Sequence, residues 1–263
     1  MRIARFTTGE DPRFGLVEGA AGEEVVHVVV GDPLYAPLKP TGEQVPLADV
    51  RLLAPVIPRS KVIGIGRNYA AHAAEMGNDL PTEPLMFLAP NTAVVGPGDP
   101  VVLPEGSEEV SYEGELAVVI GRVCKDVPRE RVSEVVLGYT CANDLTARDW
   151  QRGDGQWARA KGFDTSCPLG PWIVPDLDVS DLAISTRLDG RTVQDGRTSD
   201  MVFDVPDLVS YVSRAFTLLP GDVILTGTPA GVGLVVDGQR VDVEIEGIGT
   251  LSNPVVARTG ASR

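Results

Sequence analysis

Residues 113–120 read Glu-Gly-Glu-Leu-Ala-Val-Val-Ile, a run that predicts a strand with apolar side chains on both faces after its third residue. Such a strand belongs inside a sheet that is covered on both sides. Side chains two apart on a strand point to the same face, so Glu113 and Glu115 bring two carboxylates together. For the pair alone, a solvated sheet edge is the more common interpretation.

The buried alternative has a chemical consequence at the start of this strand. Unpaired carboxylates at a buried strand end are costly, whereas a cation between them would remove their repulsion. Ligands that are all oxygen atoms favour a hard ion such as Mg²⁺ or Mn²⁺ over zinc. The sequence therefore makes Glu113 and Glu115 candidate metal ligands.

Strands are expected on either side of this run, and helices are fewer. Apolar patterns predict strands at 61–66, 85–88, 136–143 and 223–225, helices at 69–76 and 205–216, a helix end at Gly77-Asn78, and hairpin turns at Asp189-Gly190 and Asp237-Gly238. The strands do not alternate regularly with helices. We therefore expect an α+β fold that is mostly β, with antiparallel or mixed sheets rather than a doubly wound parallel one.

The first fifty or so residues predict a small β-rich unit. Strands are expected at 2–6, 14–17 and 24–30, and the Pro- and Gly-rich stretch 37–58 is typical of a linker. We therefore divide the chain into a small N-terminal domain, residues 1–58, and a larger domain, residues 59–263.

Charge and composition exclude several function classes. The chain has 23 Lys and Arg against 37 Asp and Glu, a net charge of −14 that disfavours nucleic acid as a partner. Its apolar runs are far shorter than the ~20 residues that cross a bilayer, and no apolar signal segment follows Met1, so we expect a cytoplasmic protein without a membrane partner. Three cysteines without CxxC spacing indicate neither disulfides nor structural zinc.

Two common catalytic or binding motifs are missing from the sequence. The run Gly64-Ile65-Gly66-Arg67-Asn68-Tyr69 begins like a dinucleotide-binding fingerprint but has Tyr69 where the third glycine belongs, and there is no P-loop. No Gly-x-Ser-x-Gly elbow is present. Nucleotide binding and serine hydrolysis are therefore not supported.

Four further features suit chemistry on an acidic substrate, each with an ordinary alternative. Asp144 supplies a third carboxylate at the start of a predicted helix, where an N-cap is its usual role. His72 and Glu75 share one helix face, as a hydrogen-bonded dyad or a surface pair. Lys161 is suited to an anion, although most lysines are solvated. The turn 226–229 offers backbone amides and a hydroxyl to a carboxylate, or is a plain strand-to-loop turn.

Taken together, six segments resemble the fumarylacetoacetate hydrolase family. They are Gly66–Met76, Tyr112–Leu116, Gly138–Thr140 with Asn143–Asp149, Ala160–Asp164, Thr198–Met201 and Leu225–Gly233. The resemblance runs in order from about Lys61 to the C-terminus. It implies the mixed β-roll of the family, usually as a homodimer, and the N-terminal unit resembles the small extra domain of many bacterial members.

The resemblance also implies an active site. It places a divalent ion, Mg²⁺ or Mn²⁺, on Glu113, Glu115 and Asp144. It places the catalytic dyad His72 and Glu75 on a lid helix and adds Lys161 as a catalytic residue. It also implies seven positions that bind substrate: Arg67, Tyr69, Arg148, Gln151, Gly227, Thr228 and Pro229. One position departs from the family pattern, since Ala89 stands where many members have a lysine.

The implied substrates are small 2-oxo or 2,4-dioxo acids, and the implied reactions share an enolate. We expect hydrolysis of a carbon–carbon bond in an acylpyruvate such as fumarylpyruvate, or isomerisation of 2-hydroxyhepta-2,4-diene-1,7-dioate in the breakdown of aromatic acids. Decarboxylation of oxaloacetate on the same site is an alternative. A small-acid binding protein without turnover is a second alternative, of a different class.

Overall fold

A computed structural model describes residues 1–20, 22–77 and 79–258. The strands up to the middle of the chain are β1 Arg2–Thr7, β2 Arg13–Glu18, β3 Val25–Val30, β4 Lys39–Pro46, β5 Arg51–Leu53, β6 Val62–Gly66, β7 Leu85–Ala89, β8 Val94–Val95, β9 Val101–Val102, β10 Val110–Tyr112 and β11 Gly114–Ile120. Those that follow are β12 Val136–Asn143, β13 Thr146–Ala147, β14 Cys167–Val174, β15 Ala183–Leu188, β16 Arg191–Arg197, β17 Val223–Leu225, β18 Gly233–Leu234, β19 Arg240–Ile245 and β20 Gly249–Val256. The α-helices are α1 Ala70–Glu75, α2 Arg148–Gly153, α3 Ala158–Gly162 and α4 Val205–Ala215.

One large sheet organises the molecule. Its strands follow the order β4-β3-β2-β1-β14-β12-β11-β17-β6-β7, with β5 beside β1 and β8 beside β14. A five-stranded sheet runs β16-β15-β19-β20-β9, and a three-stranded one runs β13-β10-β18. Most neighbouring strands are antiparallel, whereas β6 with β17, β8 with β14, and β9 with β20 are parallel. The mostly β, mixed-sheet fold is therefore confirmed.

Strand β11 lies in the middle of the large sheet, as its apolar sequence predicts. It pairs with β12 on one side and β17 on the other, and every residue from Gly114 to Ile120 is buried. Its two faces belong to two separate apolar clusters, one containing Leu116 and Val118 and the other containing Ala117 and Val119. The first residues of β11 belong to the candidate active site, which therefore lies partly within the core.

Both predicted helices form, with nearly the expected ends. The helix expected at 69–76 is α1, and Gly77 after it has the left-handed φ of +68° that favours glycine, while Asn78 lies outside the described residues. Helix α4 begins after Asp204, whose carboxylate accepts a hydrogen bond from the Asp207 N–H. Across the described ranges, no helix has both the length and the apolar composition needed to span a bilayer.

Three sequence-based expectations about secondary structure are wrong. The stretch 37–58 is no plain linker, because β4 pairs with β3, and β5 with β1, within the large sheet. Asp237-Gly238 does not close a hairpin, since the preceding strand β18 pairs with β10 rather than with β19. Asp189-Gly190 does close the predicted hairpin, with positive φ at both residues. The division of the chain at residues 58 and 59 stays a prediction.

The third error concerns Asp144, which does not begin a helix. It is followed by the short strand β13, and α2 begins only at Arg148. The Asp144 carboxylate contacts Lys161 instead of a helical N–H. This removes the N-cap interpretation and leaves the side chain available to the site.

Candidate active site

Three buried carboxylates meet where β11 begins and β12 ends. Glu113 and Glu115 flank Gly114 at the start of β11, and Asp144 follows the last residue of β12. One oxygen of each carboxylate lies within 4.8 Å of the others, and all three residues are at most 4% exposed. The antiparallel pairing of Gly114 with Asn143 brings the two strand ends together. The predicted juxtaposition of the three acids is therefore observed.

Two cationic side chains contact this cluster from one side. The Lys161 ammonium donates to Glu113 Oε2 at 2.6 Å and to Asp144 Oδ2 at 2.5 Å, and the Arg148 guanidinium pairs with Glu113 Oε1. Burial alone would raise the pKa of Glu113, but Arg148 and Lys161 outweigh burial and hold it at about 2. Burial lowers the pKa of Lys161, but the charges of Asp144 and Glu113 raise it by more than burial lowers it, so the net shift is upward. Glu113 and Lys161 are accordingly charged at neutral pH.

The other two carboxylates are poorly compensated. Burial, followed by repulsion from Asp144 and Glu113, raises the pKa of Glu115 well above its ordinary value. The pKa of Asp144 rises to about 6, mainly through burial, with Lys161 opposing the shift. The one hydrogen bond to Glu115 comes, among the described residues, from the Gly227 N–H at 2.7 Å. With all three carboxylates ionised, the cluster would carry one negative charge more than Arg148 and Lys161 neutralise.

These residues suit a bound divalent ion. Oxygen donors from three carboxylates are typical ligands of Mg²⁺ or Mn²⁺, and a dication would remove the repulsion that raises the pKa of Glu115. One nearby buried polar atom, the Tyr69 hydroxyl, has no hydrogen-bond partner within the described part of the chain. Buried polar atoms without partners commonly mark the place of a ligand or an ordered water. Glu113, Glu115 and Asp144 could thus hold a metal ion.

His72 and Glu75 lie on α1, above the carboxylates. His72 Nδ1 is 3.5 Å from Glu75 Oε2, at the outer limit of hydrogen bonding. Burial lowers the pKa of His72, and the Arg148 charge acts in the same direction against the opposing effect of Glu113. Glu75 also accepts the Gly231 N–H at 3.0 Å, which connects α1 to the loop after the 226–229 turn. The imidazole is therefore neutral at pH 7 and is held beside a carboxylate.

The turn at 226–229 is bonded tightly to the start of β11. The Thr226 hydroxyl donates to the Leu116 carbonyl at 2.9 Å, and the Thr228 hydroxyl donates to the Gly114 carbonyl at 2.8 Å. Gln194 donates from Nε2 to Thr228 Oγ1 and to the Pro229 carbonyl, both at 2.8 Å. Several donors of this turn are thus engaged within the protein, and its role as a holder of the substrate carboxylate stays a prediction.

Asn68 is a structural residue of the site that sequence reasoning missed. Its Nδ2 donates to the Thr226 carbonyl at 2.7 Å and to the Phe203 carbonyl at 2.9 Å, and its Oδ1 accepts the Phe203 N–H at 2.9 Å. The residue is fully buried. It joins the start of α1 to the 226–229 turn and to the segment before α4. The signal in the sequence was weak, because an asparagine in a loop indicates a turn first.

A cavity of about 330 Å³ opens onto the cluster. Eight of the predicted site residues line it: Arg67, His72, Glu113, Glu115, Arg148, Gln151, Lys161 and Thr228. Gln151 accepts a hydrogen bond from the Arg148 guanidinium at 3.0 Å. Five predicted residues are not part of this lining: Tyr69, Glu75, Asp144, Gly227 and Pro229. Sequence reasoning missed Trp157 and Arg152 on the cavity wall.

The role of Tyr69 as a substrate contact stays a prediction. The residue is 2% exposed and forms a bridge to Met201, and it is not among the described residues that line the cavity. Burial and the neighbouring Glu115 carboxylate raise its pKa. Ala89, the position of the family lysine, lies in an apolar cluster with Val62 and Cys167 rather than on the cavity wall.

Comparisons with known proteins agree with this geometry. The family model described as fumarylacetoacetate (FAA) hydrolase, C-terminal, matches residues 61–256, and one described as Rv2993c-like, N-terminal, matches residues 1–55. The structure of 5-carboxymethyl-2-hydroxymuconate delta-isomerase from Mycobacterium smegmatis is 52% identical with a TM-score of 0.91, covering 98% of this chain and 100% of that one.

Two further relatives differ from it in their named activity. Fumarylpyruvate hydrolase from Pseudomonas aeruginosa, in complex with Mn²⁺ and pyruvate, is 39% identical with a TM-score of 0.73, covering 77% of this chain and 91% of that one. Oxaloacetate tautomerase Fahd2a, mitochondrial, of Rattus norvegicus is 39% identical over 97% of this chain and 92% of its own length. With these relatives and a family model matching most of its length, the chain belongs to the fumarylacetoacetate hydrolase family.

Proposed function

We propose that the chain is a divalent-metal-dependent enzyme that hydrolyses the C3–C4 bond of an acylpyruvate. The observation that carries this proposal is the neutral imidazole of His72 on the wall of the cavity that also exposes Glu113 and Glu115. A base and a carboxylate cluster on one small cavity suit a reaction in which water attacks and negative charge develops. The named activity of the Pseudomonas relative supports the substrate class.

In this proposal the charged residues bind and orient the oxo-acid end. Arg148 and Lys161 offer the positive charge that attracts a carboxylate into a cavity of acidic side chains. Glu113, Glu115 and Asp144 would hold Mg²⁺ or Mn²⁺. The ion would supply a Lewis acid for the 2-oxo acid group and would stabilise its developing negative charge.

His72 acts as the general base. It removes a proton from water while the water oxygen attaches to the C4 carbonyl, and the C3–C4 bond then breaks with its electron pair passing to C3 and the 2-oxo group. Protonation of C3 gives pyruvate, and the acyl part leaves as a carboxylic acid. Glu75 orients the imidazole and is itself held by the Gly231 N–H.

A substrate panel with and without metal tests this function. Acylpyruvates, oxaloacetate and a hydroxymuconate-type diacid are supplied with Mg²⁺ or Mn²⁺, or with EDTA, and products are identified. We expect pyruvate from an acylpyruvate with metal, and little in EDTA. Undiminished turnover in EDTA would refute the metal requirement. Saturable binding with no product from any acid would instead support the non-catalytic alternative.

Oxaloacetate chemistry is the second candidate. The rat relative is named for oxaloacetate tautomerisation, and a cavity of about 330 Å³ is ample for a four-carbon diacid. Tautomerisation and decarboxylation both pass through an enol or enolate without attack by water. Isomerisation of a dienedioate, suggested by the Mycobacterium relative, likewise moves only a proton. We further propose that the protein is a cytoplasmic homodimer and that its two domains are residues 1–58 and 59–263.

A further inference from the structure

A second cavity, of about 780 Å³, adjoins the carboxylate cavity. The two share Arg67 and Trp157 in their walls. The outer cavity is apolar, and its wall is formed mainly by Leu85, Met86, Phe87, Leu88 and Phe216. Among the described residues that line it, Arg67 is the one charged side chain. An apolar space thus continues directly from a highly charged one.

Two glycines of β6 create the aromatic wall between the cavities. A Cβ atom on Gly64 would lie 2.0 Å from the Phe87 ring, and one on Gly66 would lie 3.0 Å from the Trp157 ring. Both rings therefore pack directly on the strand backbone. The Phe87 and Trp157 rings meet edge to face, with centroids 5.7 Å apart. The Phe87 and Trp157 rings are thus packed against strand β6.

This wall also contacts the charged cluster. The Lys161 ammonium, which binds Glu113 and Asp144, lies 5.0 Å from the centre of the Phe87 ring. Phe87 therefore contacts Lys161, which lines the carboxylate cavity (the inner cavity), and Phe87 itself lines the outer cavity. The inner and outer cavities thus meet at Arg67 and Trp157.

We propose that the outer cavity binds the substrate tail, and that Trp157 and Phe87 select 2-oxo acids with an apolar tail over those whose tail ends in a carboxylate. This inference rests on the proposed function only for the position of the oxo-acid end. A second carboxylate placed among Phe87, Trp157 and Leu85, out of reach of Arg67, would lose water without gaining a charged partner among the residues that line this cavity. An alkyl or aromatic tail would instead exchange water for apolar contact.

Binding of non-cleavable 2-oxo acids tests the inference without requiring hydrolysis. Dissociation constants are measured by calorimetry, with Mg²⁺, for 2-oxopentanoate, 2-oxoheptanoate and 2-oxoheptanedioate. Each buried methylene contributes about fourfold, equivalent to about 0.8 kcal/mol. We therefore expect 2-oxoheptanoate to bind roughly tenfold or more tightly than 2-oxopentanoate, and more tightly than the diacid. Equal affinities, or tighter binding of the diacid, would overturn the proposal.

Variants of residues that line the outer cavity test whether this lining causes the preference for longer tails. Trp157→Ala and the milder Leu88→Ser should bring the affinity ratio of the seven- to the five-carbon acid close to one. Val123→Ser, an exposed apolar residue outside both cavities, is the matched control and should leave the ratio unchanged. An unchanged ratio in both wall variants would contradict the assignment.

The same variants also test whether a second copy of the chain, rather than a substrate tail, covers the outer cavity. Leu88 is 47% exposed on β7, the last strand of the large sheet, where another chain could pair. If a second copy covers this face, Leu88→Ser lowers the molar mass in solution and leaves the tail ratio unchanged, which overturns the proposal. Failure of the acylpyruvate panel would reject the proposed reaction, whereas equal affinities in the tail series would reject only this inference.

Discussion

His72 is the residue on which the proposed hydrolysis depends most. General bases contribute roughly 10²–10⁴-fold to rate, so His72→Ala should lower acylpyruvate hydrolysis by at least about 100-fold. Oxaloacetate decarboxylation needs no attacking water and should fall less. Parallel assays of both reactions on the same preparation measure the difference, and equal losses would contradict the distinction between the two mechanisms.

The pH dependence gives an independent test of the same residue. A base works when unprotonated, and burial lowers the pKa of His72 beneath its ordinary 6.5. Activity should therefore persist as the pH falls to 6.5, and the acidic limb of kcat/KM should lie below that value. A bound dication would shift the limb in the same direction. A midpoint above 6.5 would show that another group, or a protonated imidazole, controls the rate.

Asn68 makes a separate prediction at the residue scale, on stability. Asn68→Ala leaves the buried carbonyl of Thr226 and the partly buried carbonyl of Phe203 without their donor, and an unsatisfied buried group costs about 1–3 kcal/mol. We expect the free energy of unfolding in urea to fall by about 2–4 kcal/mol. Asn91→Ala, at an exposed position, is the control and should change it by less than about 0.5 kcal/mol. A neutral Asn68→Ala would mean that the three segments do not depend on this side chain.

The site residues differ in how visible they were to sequence reasoning. Glu113 and Glu115 were predicted as neighbours because strand periodicity alone puts them on one face. The contact between Lys161 and Glu113 spans 48 residues and depends on how α3 packs, which no local pattern encodes. Gln194 and Trp157 carry no motif of their own, so only the folded chain identifies them. Local periodicity thus paired Glu113 with Glu115, the family resemblance added Asp144, and the supporting contacts required the tertiary structure.

At the scale of elements, the core strands were predictable and the irregular ones were not. Strands β11, β12 and β17 are rich in apolar residues and were predicted within one residue of their observed ends. Strand β14 lies between β1 and β12 in the large sheet but contains Pro168 and Pro171, residues that argue against a central strand. Strand β4 is exposed and contains Pro40 and Gly42, so its sequence indicated a linker. Sheet pairing overrode the local preference in both strands.

Strand β6 makes the prediction that belongs to this scale. Gly64→Ala places a methyl group within the Phe87 ring in the buried part of β6, and such overpacking typically costs about 1–3 kcal/mol. We expect a lower thermal midpoint, and a weaker preference for long tails because Phe87 must move. Gly153→Ala is the matched control, since nothing lies within 4 Å of its added Cβ. Equal thermal midpoints of the two variants would show that the Phe87 ring moves aside without a loss of stability.

For the whole molecule, the net charge of −14 gives little information about the site. Most acidic side chains lie on the surface, whereas the three that matter are buried together beside Arg148 and Lys161. A dication on the three carboxylates would make the inner cavity attractive to an anion despite the negative chain. The number of histidines was more useful, because only His72 and His27 exist and His27 lies in the distant N-terminal strand β3.

Metal binding should therefore appear as a change in global stability. An ion that binds only the folded chain stabilises it by about 2.7 kcal/mol at a concentration one hundred times its Kd. For a chain of this size, that corresponds to a rise in Tm of roughly 5 °C or more. Mn²⁺ added to EDTA-treated protein, followed by calorimetry, measures the rise.

Glu115→Gln separates the ion from other causes of such a rise. The amide keeps the size of the side chain and can still accept the Gly227 N–H, but it removes one of three repelling carboxylates. The metal-free variant should therefore be no less stable than the metal-free native chain, whereas its Tm should hardly respond to Mn²⁺. Glu10→Gln, at an exposed acid, should respond like the native chain. A full Mn²⁺ response in Glu115→Gln would place the ion elsewhere and would remove the metal from the proposed site.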